Sequence, residues 1–363
     1  MTLSLPAGVG LIGAGDFGEF CAGAYEGLDE VRLVAVADVD HARARAVAPR
    51  GAAVYADYRE LLADPAVDVV AVNTPPHLHA QLAREAAEAG KHVFVEKPLA
   101  TSLEDARAVI AAAERAGVQV SVDFVLRHHP LHRLAAAVIH SRALGPFRHW
   151  ALENLATDEG LGPDHWFWDP ERSGGIHVEH GVHFFDLCNF LVGQVPTVVC
   201  GGKQKRPDGR VDRVSALVQY GDEVTATFYH AFNQIRRFER TTLRLNCERG
   251  EMVIDGWIPT ELWLCGWVDE SGLATLRTLF DGRVHVVERL EGEASLFEHG
   301  GRTETLTAVV EAEFSVPDRQ GAYRRAIQAG MRDLVRAVHE GRAPAVTAED
   351  GLRSLEVALA ASP

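Results

Sequence analysis

Residues 9–18 have the sequence VGLIGAGDFG, in which a short apolar strand runs directly into a glycine-rich turn. In such a turn Gly13 permits the sharp change of direction, Gly15 lets a diphosphate approach the backbone, and Gly18 lets the next helix pack closely on the strand. The free amides and the positive dipole end at the start of that helix favour an anion. The turn therefore predicts a dinucleotide site. Its candidate cofactor contacts are Gly13, Ala14, Gly15, Asp16, Phe17 and Gly18.

A second predicted strand at residues 32–37 ends in Asp38, which lies 20 residues after Gly18. This is the distance expected for the carboxylate that binds the adenosine ribose of the cofactor. A carboxylate at this point repels the additional phosphate of NADP, so NAD is the predicted cofactor. NADP stays possible because Arg43 and Arg45 follow closely. The simpler alternative is that Asp38 only caps the next helix.

Strand and helix patterns continue to alternate up to residue 122, which predicts a doubly wound parallel sheet. Further strands are predicted at 67–72, 91–96 and 118–122, and helices at about 77–89 and 101–116, the latter opened by a Thr-Ser-Leu-Glu capping box.

The loop at residues 73–79 follows the carboxyl end of one predicted strand, where open α/β sheets bind their ligands. We expect this loop to line the nicotinamide half of the cofactor site. Its candidate contacts are Asn73, Thr74, Pro75, His77 and His79. Both histidines could instead simply cap the helix that follows.

Residues 93–98 have the sequence VFVEKP, a buried strand that ends in an acid, a base and a proline. Pro98 favours an extended backbone at Lys97, and the bond between them could be cis. The chain has 36 basic residues but only four lysines, and lysine can give up a proton where arginine cannot. We therefore predict that Lys97 is a catalytic amine and that Glu96 and Lys97 also contact the cofactor. A surface lysine at a turn is the alternative.

From residue 147 onward, runs of alternating apolar and polar residues predict a mostly antiparallel sheet with one buried face. Helices are predicted at 319–340 and 347–361. The fold class is thus α/β, with a parallel doubly wound sheet followed by an α+β part with an open sheet. The predicted domains are residues 1–123 for the dinucleotide, 124–345 for substrate and oligomer contacts, and 346–363 as a helix that returns to the first domain.

Residues 164–186 combine aromatic, acidic and imidazole side chains in the sequence DHWFWDPERSGGIHVEHGVHFFD. The apolar spacing after Gly181 is helical, so Glu179 and His183 should lie about one turn apart and point the same way. Trp166 offers a flat apolar face for a sugar ring, although an aromatic residue can equally belong to the core.

Together these motifs resemble the Gfo/Idh/MocA oxidoreductases, which include glucose–fructose oxidoreductase and inositol dehydrogenase. The resemblance extends from VGLIG at 9–13 through GKHVFVEKP at 90–98 to PAVTAEDGL at 344–352. It implies a Rossmann domain, a C-terminal α+β domain whose open sheet often forms oligomer contacts, and NAD(P)-linked redox chemistry on sugars or cyclitols.

By the same resemblance, Lys97 matches the active-site lysine and His183 the histidine that contacts the reacting hydroxyl. Glu179 stands where many members have Asp, Val125 where many have Asn, and Asp123 where many have Gly. The resemblance implies reversible oxidation of a secondary alcohol, with His183 accepting the proton and Lys97 stabilising the alkoxide. Glu179 would orient His183 or bind a neighbouring hydroxyl. The candidate substrate contacts are Lys97, Arg127, Trp166, Glu179, His180 and His183.

Three other functions are compatible with the same residues. The cluster of His177, Glu179, His180 and His183 has the ligand types of a zinc or manganese site, but alternation along a strand would send neighbours to opposite faces, and no metal is predicted. A tightly held NAD could support redox-neutral elimination, epimerisation or glycosidic cleavage. A protein that only senses NAD is the last alternative.

The net charge of −15 opposes binding to nucleic acid or to an anionic membrane surface. Five dispersed cysteines without a CxxC pair are typical of reduced thiols. There is no signal-peptide pattern and no apolar run of membrane-spanning length. We therefore expect a cytoplasmic homodimer or homotetramer that acts on a small carbohydrate or cyclitol.

Overall fold

The computed structural model describes residues 3–362, which form two compact units. Unit 1 contains residues 3–128, 161–186 and 323–360, and unit 2 contains residues 129–160, 187–322 and 361–362. The domain limits 1–123, 124–345 and 346–363 stay a prediction, because the two units follow the packing of the chain and not its order.

A sheet of six parallel strands forms the centre of unit 1. Its strands are β1 (Ala7–Ile12), β2 (Val31–Ala37), β3 (Ala53–Tyr55), β4 (Val69–Val72), β5 (His92–Val95) and β6 (Val120–Val122). Their order is β3-β2-β1-β4-β5-β6, so the direction of winding reverses between β1 and β4. Ligands bind at such a switch point. The predicted doubly wound parallel sheet is confirmed.

The helices of the described chain surround this sheet or belong to unit 2. They are α1 (Asp16–Tyr25), α2 (His41–Val47), α3 (Tyr58–Ala63), α4 (Pro76–Glu88), α5 (Leu103–Ala116), α6 (Pro130–Ser141), α7 (Pro170–Ser173), α8 (Val182–Val192), α9 (Glu270–Leu279), α10 (Arg319–Glu340) and α11 (Ala348–Ala360). None of the described helices is both long enough and apolar enough to cross a membrane.

Helix α5 begins one residue later than its predicted capping box. The cap is Ser102, whose hydroxyl oxygen accepts a hydrogen bond from the Asp105 amide at 3.1 Å and donates to the Asp105 carboxylate at 2.6 Å. The box predicted from Thr101 to Glu104 is therefore wrong by one position. Only one of the two contacts of a capping box is present, because the Asp105 carboxylate accepts from the Ser102 hydroxyl and not from the Ser102 amide.

Helix α11 packs closely against α5 and β6 within unit 1. The approach depends on Gly351, because a Cβ atom there would lie 2.9 Å from Val122 Cγ2 and 3.0 Å from Leu99 Cβ. The last helix thus covers part of the parallel sheet formed by the first third of the chain.

Unit 2 is built on a nine-stranded sheet in the order β14-β17-β13-β12-β11-β7-β10-β9-β8, with β15 and β16 paired separately. The strands are β7 (Phe147–Thr157), β8 (Val198–Lys205), β9 (Val211–Tyr220), β10 (Val224–Gln234), β11 (Arg240–Cys247), β12 (Gly250–Asp255), β13 (Glu261–Val268), β14 (Val284–Arg289), β15 (Leu296–His299), β16 (Arg302–Thr305) and β17 (Ala308–Ser315). The mostly antiparallel sheet is confirmed. One pair, β7 with β10, is parallel. One face is buried over residues such as Trp150 and Phe228, whose rings lie 5.7 Å apart.

Candidate active site

Each glycine of the turn after β1 has a distinct steric environment. A Cβ at Gly13, where φ is +97°, would lie 2.4 Å from the Asn73 carbonyl oxygen, and one at Gly18 would lie 2.0 Å from the Gly13 carbonyl oxygen. These two glycines allow β1, α1 and the end of β4 to pack together. A Cβ at Gly15 would meet nothing within 4 Å, so Gly15 leaves open space in front of the turn.

The side chain of Asp38 connects this turn to the end of β2. Its Oδ2 accepts a hydrogen bond from the Ala14 amide at 2.7 Å, and its Oδ1 accepts one from the Asp40 amide at 2.8 Å. Asp40, and not Asp38, caps α2. Asp38 therefore has a negative charge fixed beside the glycine turn, and the simpler alternative of a helix cap is wrong.

A cavity of about 640 Å³ opens in front of the turn, wholly within unit 1. Its walls are formed by Ile12, Gly13, Gly15, Ala37, Asp38, Val39, Arg43, Ala56, Tyr58, Arg59, Asn73, Thr74, Pro75, Leu78, Gln81, Leu82 and Trp166. The Thr74 hydroxyl is buried and has no hydrogen-bond partner among the described residues. These features fit a dinucleotide: the wall contains an unpaired hydroxyl, the glycine backbone is open, and a carboxylate is fixed beside it.

Several cavity residues were not predicted. Tyr58, Arg59 and Gln81 line the part formed by α3 and α4. The strand β3 that precedes α3 has only three residues, too few for a periodic signal. The sequence signal that could have located the start of α3 is Asp57, whose side chain caps the helix by accepting a hydrogen bond from the Arg59 amide at 2.9 Å.

Eight of the predicted cofactor contacts do not line this cavity: Ala14, Asp16, Phe17, Gly18, His77, His79, Glu96 and Lys97. Asp16 is exposed at the start of α1, and His77 is exposed on α4. Phe17 is half-buried, with its ring 6.4 Å from that of Tyr323. Their contact with the cofactor stays a prediction.

His79 is buried, and both of its ring nitrogens face main-chain carbonyl oxygens. Nδ1 lies 2.7 Å from the Pro98 oxygen and Nε2 lies 2.6 Å from the Thr74 oxygen. Burial lowers the pKa of His79 to about 4, so at neutral pH the ring donates to one carbonyl at a time. These hydrogen bonds favour a structural role, in which His79 links the loops that contain Thr74 and Pro98, over the predicted contact with the cofactor.

Lys97 follows β5, and its bond to Pro98 is cis. Its Nζ donates to the main-chain oxygen and to Oε1 of Glu179, both at 2.9 Å, and its side chain is 14% exposed. Burial alone would lower the pKa of Lys97, but the carboxylates of Glu179 and Glu96 outweigh it and raise the pKa. Lys97 is therefore an ammonium ion at neutral pH.

Glu179 lies in a π-helical turn, His177–Gly181, that continues directly into α8. The strand assumed for residues 177–180 is therefore wrong, because this segment is helical. His183 is 4% exposed on the following turn, and its ring lies 6.2 Å from that of His180. Burial first, and then the charge of Lys97, lower the pKa of His183 well below its usual range. Burial lowers the pKa of His180 to about 4. Both imidazoles are neutral at neutral pH.

Two predicted substrate contacts have other neighbours in unit 1. The Arg127 guanidinium donates to both Asp186 carboxylate oxygens, at 2.5 and 2.6 Å, and to Asp350 at 3.2 Å. A guanidinium with two carboxylate partners is a structural link between segments. Trp166 lines the cavity in front of the glycine turn, which indicates a contact with the dinucleotide at least as readily as one with a sugar.

Within residues 3–362 no three His, Cys, Asp or Glu side chains are arranged to hold a metal ion. Because the segment that contains His177, Glu179, His180 and His183 is helical, these side chains have different neighbours. Glu179 binds Lys97, whereas the His177 ring packs 5.7 Å from that of Phe185. The metal-assisted alternative therefore has no ligand set in the described part of the chain.

Two family models match the chain. One, described as an oxidoreductase family with an NAD-binding Rossmann fold, matches residues 7–124, and the other, the C-terminal domain of GFO/IDH/MocA proteins, matches residues 132–253. The chain belongs to the Gfo/Idh/MocA family. The resemblance noted in the sequence is thereby confirmed.

Individual members of the Gfo/Idh/MocA family are similar over different lengths. An uncharacterized oxidoreductase of Bacillus subtilis, YrbE, is 30% identical over 52% of this chain and 55% of its own length. The scyllo-inositol 2-dehydrogenase (NAD(+)) of the same bacterium is 28% identical over 84% of this chain and 78% of its own. The crystal structure of a levoglucosan dehydrogenase in complex with NADH superposes with a TM-score of 0.78 at 22% identity, over 98% of this chain and 96% of that one.

Residues 7–124 match a family that is described as oxidoreductases with an NAD-binding Rossmann fold. The site combines two features described above: an open glycine turn beside a fixed carboxylate, and a buried ammonium beside neutral imidazoles. β4 and β5 are parallel neighbours, and the Glu96 amide donates to the Val72 oxygen at 3.0 Å. The loop that begins at Asn73 therefore starts next to the one that carries Lys97.

Proposed function

We propose that this protein is an NAD-dependent dehydrogenase that oxidises a secondary alcohol of a sugar or cyclitol. The observation that carries the proposal is the contact of the Lys97 ammonium with Glu179 beside the neutral ring of His183. This arrangement provides a cation to stabilise an oxyanion and a base to accept its proton. The polyol class is suggested by the scyllo-inositol 2-dehydrogenase to which the chain is similar.

The cofactor would be held by the glycine turn and by Asp38. Gly15 leaves room for the diphosphate, the amides at the start of α1 bind it, and Asp38 accepts hydrogen bonds from the ribose. When bound, NAD supplies the acceptor for the hydride that leaves the carbinol carbon. The fixed charge of Asp38 favours NAD over NADP, while Arg43 in the cavity wall leaves weaker use of NADP possible.

The chain's own residues would manage the proton and the charge of the alcohol oxygen. Lys97 donates a hydrogen bond to that oxygen and stabilises negative charge as the hydroxyl proton leaves. The neutral His183 accepts the proton. Glu179 holds the Lys97 ammonium in place before substrate binds, through the two 2.9 Å contacts. Glu179 stands where many relatives have the shorter Asp.

We also propose that the protein is a cytoplasmic homo-oligomer. Its cysteines at positions 21, 188, 200, 247 and 265 are free thiols, which suits a reducing compartment. The open sheet of unit 2 carries exposed apolar side chains, among them Leu217 on β9 and Trp267 on β13. We propose that this exposed face contacts a second copy.

The test is a screen of sugars, cyclitols and sugar acids with NAD and with NADP, followed by absorbance of the reduced nicotinamide. We expect NAD reduction with at least one polyol and a higher kcat/KM with NAD than with NADP. Conversion of a sugar without net change in absorbance, with NAD retained through purification, would instead indicate redox-neutral chemistry. Binding of NAD without turnover of any substrate would contradict both and favour an NAD sensor.

A further inference from the structure

Two acids lie side by side at the end of the parallel sheet of unit 1. β5 and β6 are neighbours with Val95 opposite Val122, so the next residues along the two strands are Glu96 and Asp123. The Asp123 amide donates to the Val95 oxygen at 2.8 Å, which keeps the backbones in register to this point. The two carboxyl groups are close enough that the charge of Glu96 raises the pKa of Asp123.

The Asp123 carboxyl group is buried without a donor. The residue is 2% exposed, and neither carboxyl oxygen accepts a hydrogen bond from any N–H or O–H of the described residues. Ionised carboxylates that are buried without donors or partner cations are strongly disfavoured. Asp123 must therefore carry a proton or share one with its neighbour.

The titratable groups around Glu96 and Asp123 belong to four segments of unit 1, and only one of these groups is cationic. They are Cys21 and Tyr25 on α1, Tyr323 on α10, Lys97 after β5, and Glu179 in the π-helical turn. Burial raises the pKa values of Cys21, Tyr25 and Tyr323 well above their usual ranges, so these three stay neutral. Lys97 is therefore the group whose charge the pair can influence.

We propose that Asp123 is a positioning residue that stays protonated and donates its proton to Glu96, so that the pair carries one negative charge beside Lys97. The role of Asp123 in catalysis rests on the proposed dehydrogenase function. The location of the proton between Asp123 and Glu96 does not, because it is a property of the folded protein.

The electrostatics agree with one shared proton. Burial raises the pKa of Glu96 to about 7, against the lowering effect of Lys97. Burial and the nearby Glu96 charge raise the pKa of Asp123 well above its usual range. When two carboxyl groups share one site, the first ionises and the second keeps its proton. Glu96 is the acceptor because it interacts more strongly than Asp123 with the Lys97 charge.

The consequence for catalysis follows from where Glu96 is held. A Glu96 carboxylate bound to the Asp123 proton is turned toward the sheet and leaves the Lys97 ammonium to Glu179 and the substrate. Without that donor, Glu96 would be free to bind Lys97 and compete with the substrate oxygen for its protons. Asp123 would thus keep Lys97 available.

The structural part is tested by infrared spectroscopy of the full chain at neutral pH. We expect a carbonyl stretch of a protonated carboxylic acid in the wild type that is lost in Asp123→Asn. Asp29→Asn, which changes an exposed aspartate, should leave the band unchanged. Absence of the band in the wild type, or its persistence in Asp123→Asn, would overturn the proposal whether or not a substrate has been found.

The catalytic part is tested with two variants at the same position. Asp123→Asn keeps an N–H donor for Glu96 and should retain kcat within a few-fold. Asp123→Ala removes the donor and should lower kcat about tenfold or more, the effect of one hydrogen bond to a charged group. KM should change little, and NADH binding and the melting temperature serve as folding controls. Equal kcat in the two variants, with both folded, would overturn the positioning role.

Discussion

At the scale of single residues, the site depends on one buried ammonium. The carboxylates of Glu179 and Glu96 raise the pKa of Lys97 against the lowering effect of burial. A cation held in this way can stabilise negative charge on a substrate oxygen without first having to gain a proton. The residue-scale predictions follow from that balance.

Replacing Lys97 with Met should lower kcat by about 10²- to 10⁴-fold, because the cation that stabilises the alkoxide is lost. The variant also leaves Glu179 buried without a partner and should lower the free energy of unfolding by about 3–5 kcal/mol. The double variant Lys97→Met/Glu179→Gln should recover much of that stability but none of the activity. Steady-state kinetics and thermal unfolding measure the two effects.

A matched lysine controls for this experiment. Lys91 donates to the main-chain oxygens of Asp64 and Val67 at 3.0 and 2.7 Å. Lys91→Met should therefore affect stability alone. A fall in kcat as large as that of Lys97→Met would show that loss of a buried lysine, and not of this ammonium, is responsible.

Glu179→Gln should move the alkaline limit of activity to lower pH. In the wild type, Glu179 and Glu96 raise the pKa of Lys97 against the effect of burial. Without the Glu179 charge, burial lowers the pKa, and Lys97 loses its proton earlier as the pH rises. The pH profile of kcat/KM measures the shift. Glu171→Gln, at an exposed acid of α7, should leave the profile in place, and an unshifted profile in Glu179→Gln would exclude the pair as its cause.

At the scale of elements, the turn between β1 and α1 offers glycines with different environments. Gly15→Ala places its methyl group in the open space of the cavity and should weaken NADH binding about tenfold or more without loss of stability. Gly18→Ala would clash with the Gly13 carbonyl oxygen and should lower the free energy of unfolding by about 1–3 kcal/mol. Fluorescence titration with NADH and thermal unfolding are the measurements.

Helix α1 itself contains the control. Gly23 is exposed, and a Cβ there would meet nothing within 4 Å. Gly23→Ala should therefore stabilise the protein by about 0.5–1 kcal/mol through helix propensity, with unchanged NADH affinity. Loss of NADH binding in Gly23→Ala would show that the effect of Gly15→Ala is not specific to the glycine turn.

Asp38→Asn tests the choice of cofactor. Asparagine keeps one oxygen to accept from the Ala14 amide at 2.7 Å, loses the acceptor for the Asp40 amide, and removes the charge that repels the NADP phosphate. The ratio of kcat/KM for NAD to that for NADP should fall by about tenfold, the effect of roughly 1.4 kcal/mol. An unchanged ratio in the folded variant would assign the preference to another residue of the cavity.

Elements with a strong local signal could be predicted from the sequence. Helix α10 (Arg319–Glu340) has the predicted bounds, because its polar and apolar residues recur with the period of a helix. The three-residue β3 and its neighbours α2 and α3 gave no such signal. The parallel pairing of β7 with β10 could not be predicted either, because alternation identifies a strand and a face but not a partner.

The same limit applies to the site. The motif around Lys97 indicated a reactive amine, but its partner Glu179 lies 82 residues away along the chain. Only the fold shows that the two atoms meet. His79 was predicted as a cofactor contact from its position after a strand, and Arg127 was among the predicted substrate contacts. In the structure His79 contacts main-chain carbonyls and Arg127 contacts carboxylates. A polar side chain near a site has the same sequence signal whether it binds a ligand or holds two loops together.

At the scale of the whole molecule, the proposed assembly through the open sheet of unit 2 has a direct test. Trp267 on β13 is 41% exposed. Trp267→Glu should shift the protein toward monomer in light scattering, because a buried charge without a partner disfavours an interface. Val195→Glu, at an exposed apolar residue outside the strands, should leave the mass unchanged. A wild-type monomer would contradict the proposed oligomer itself.

Unit 1 is completed by residues from distant parts of the chain. Arg127 joins Asp186 to Asp350, and Gly351 allows α11 to lie against β6 and Leu99. A ribosome that has finished the parallel sheet must therefore add more than two hundred residues, on the order of ten seconds or more of synthesis at typical rates, before the helix that covers it exists. During that interval the nascent chain exposes an apolar surface, which makes the newly made sheet a natural client of chaperones.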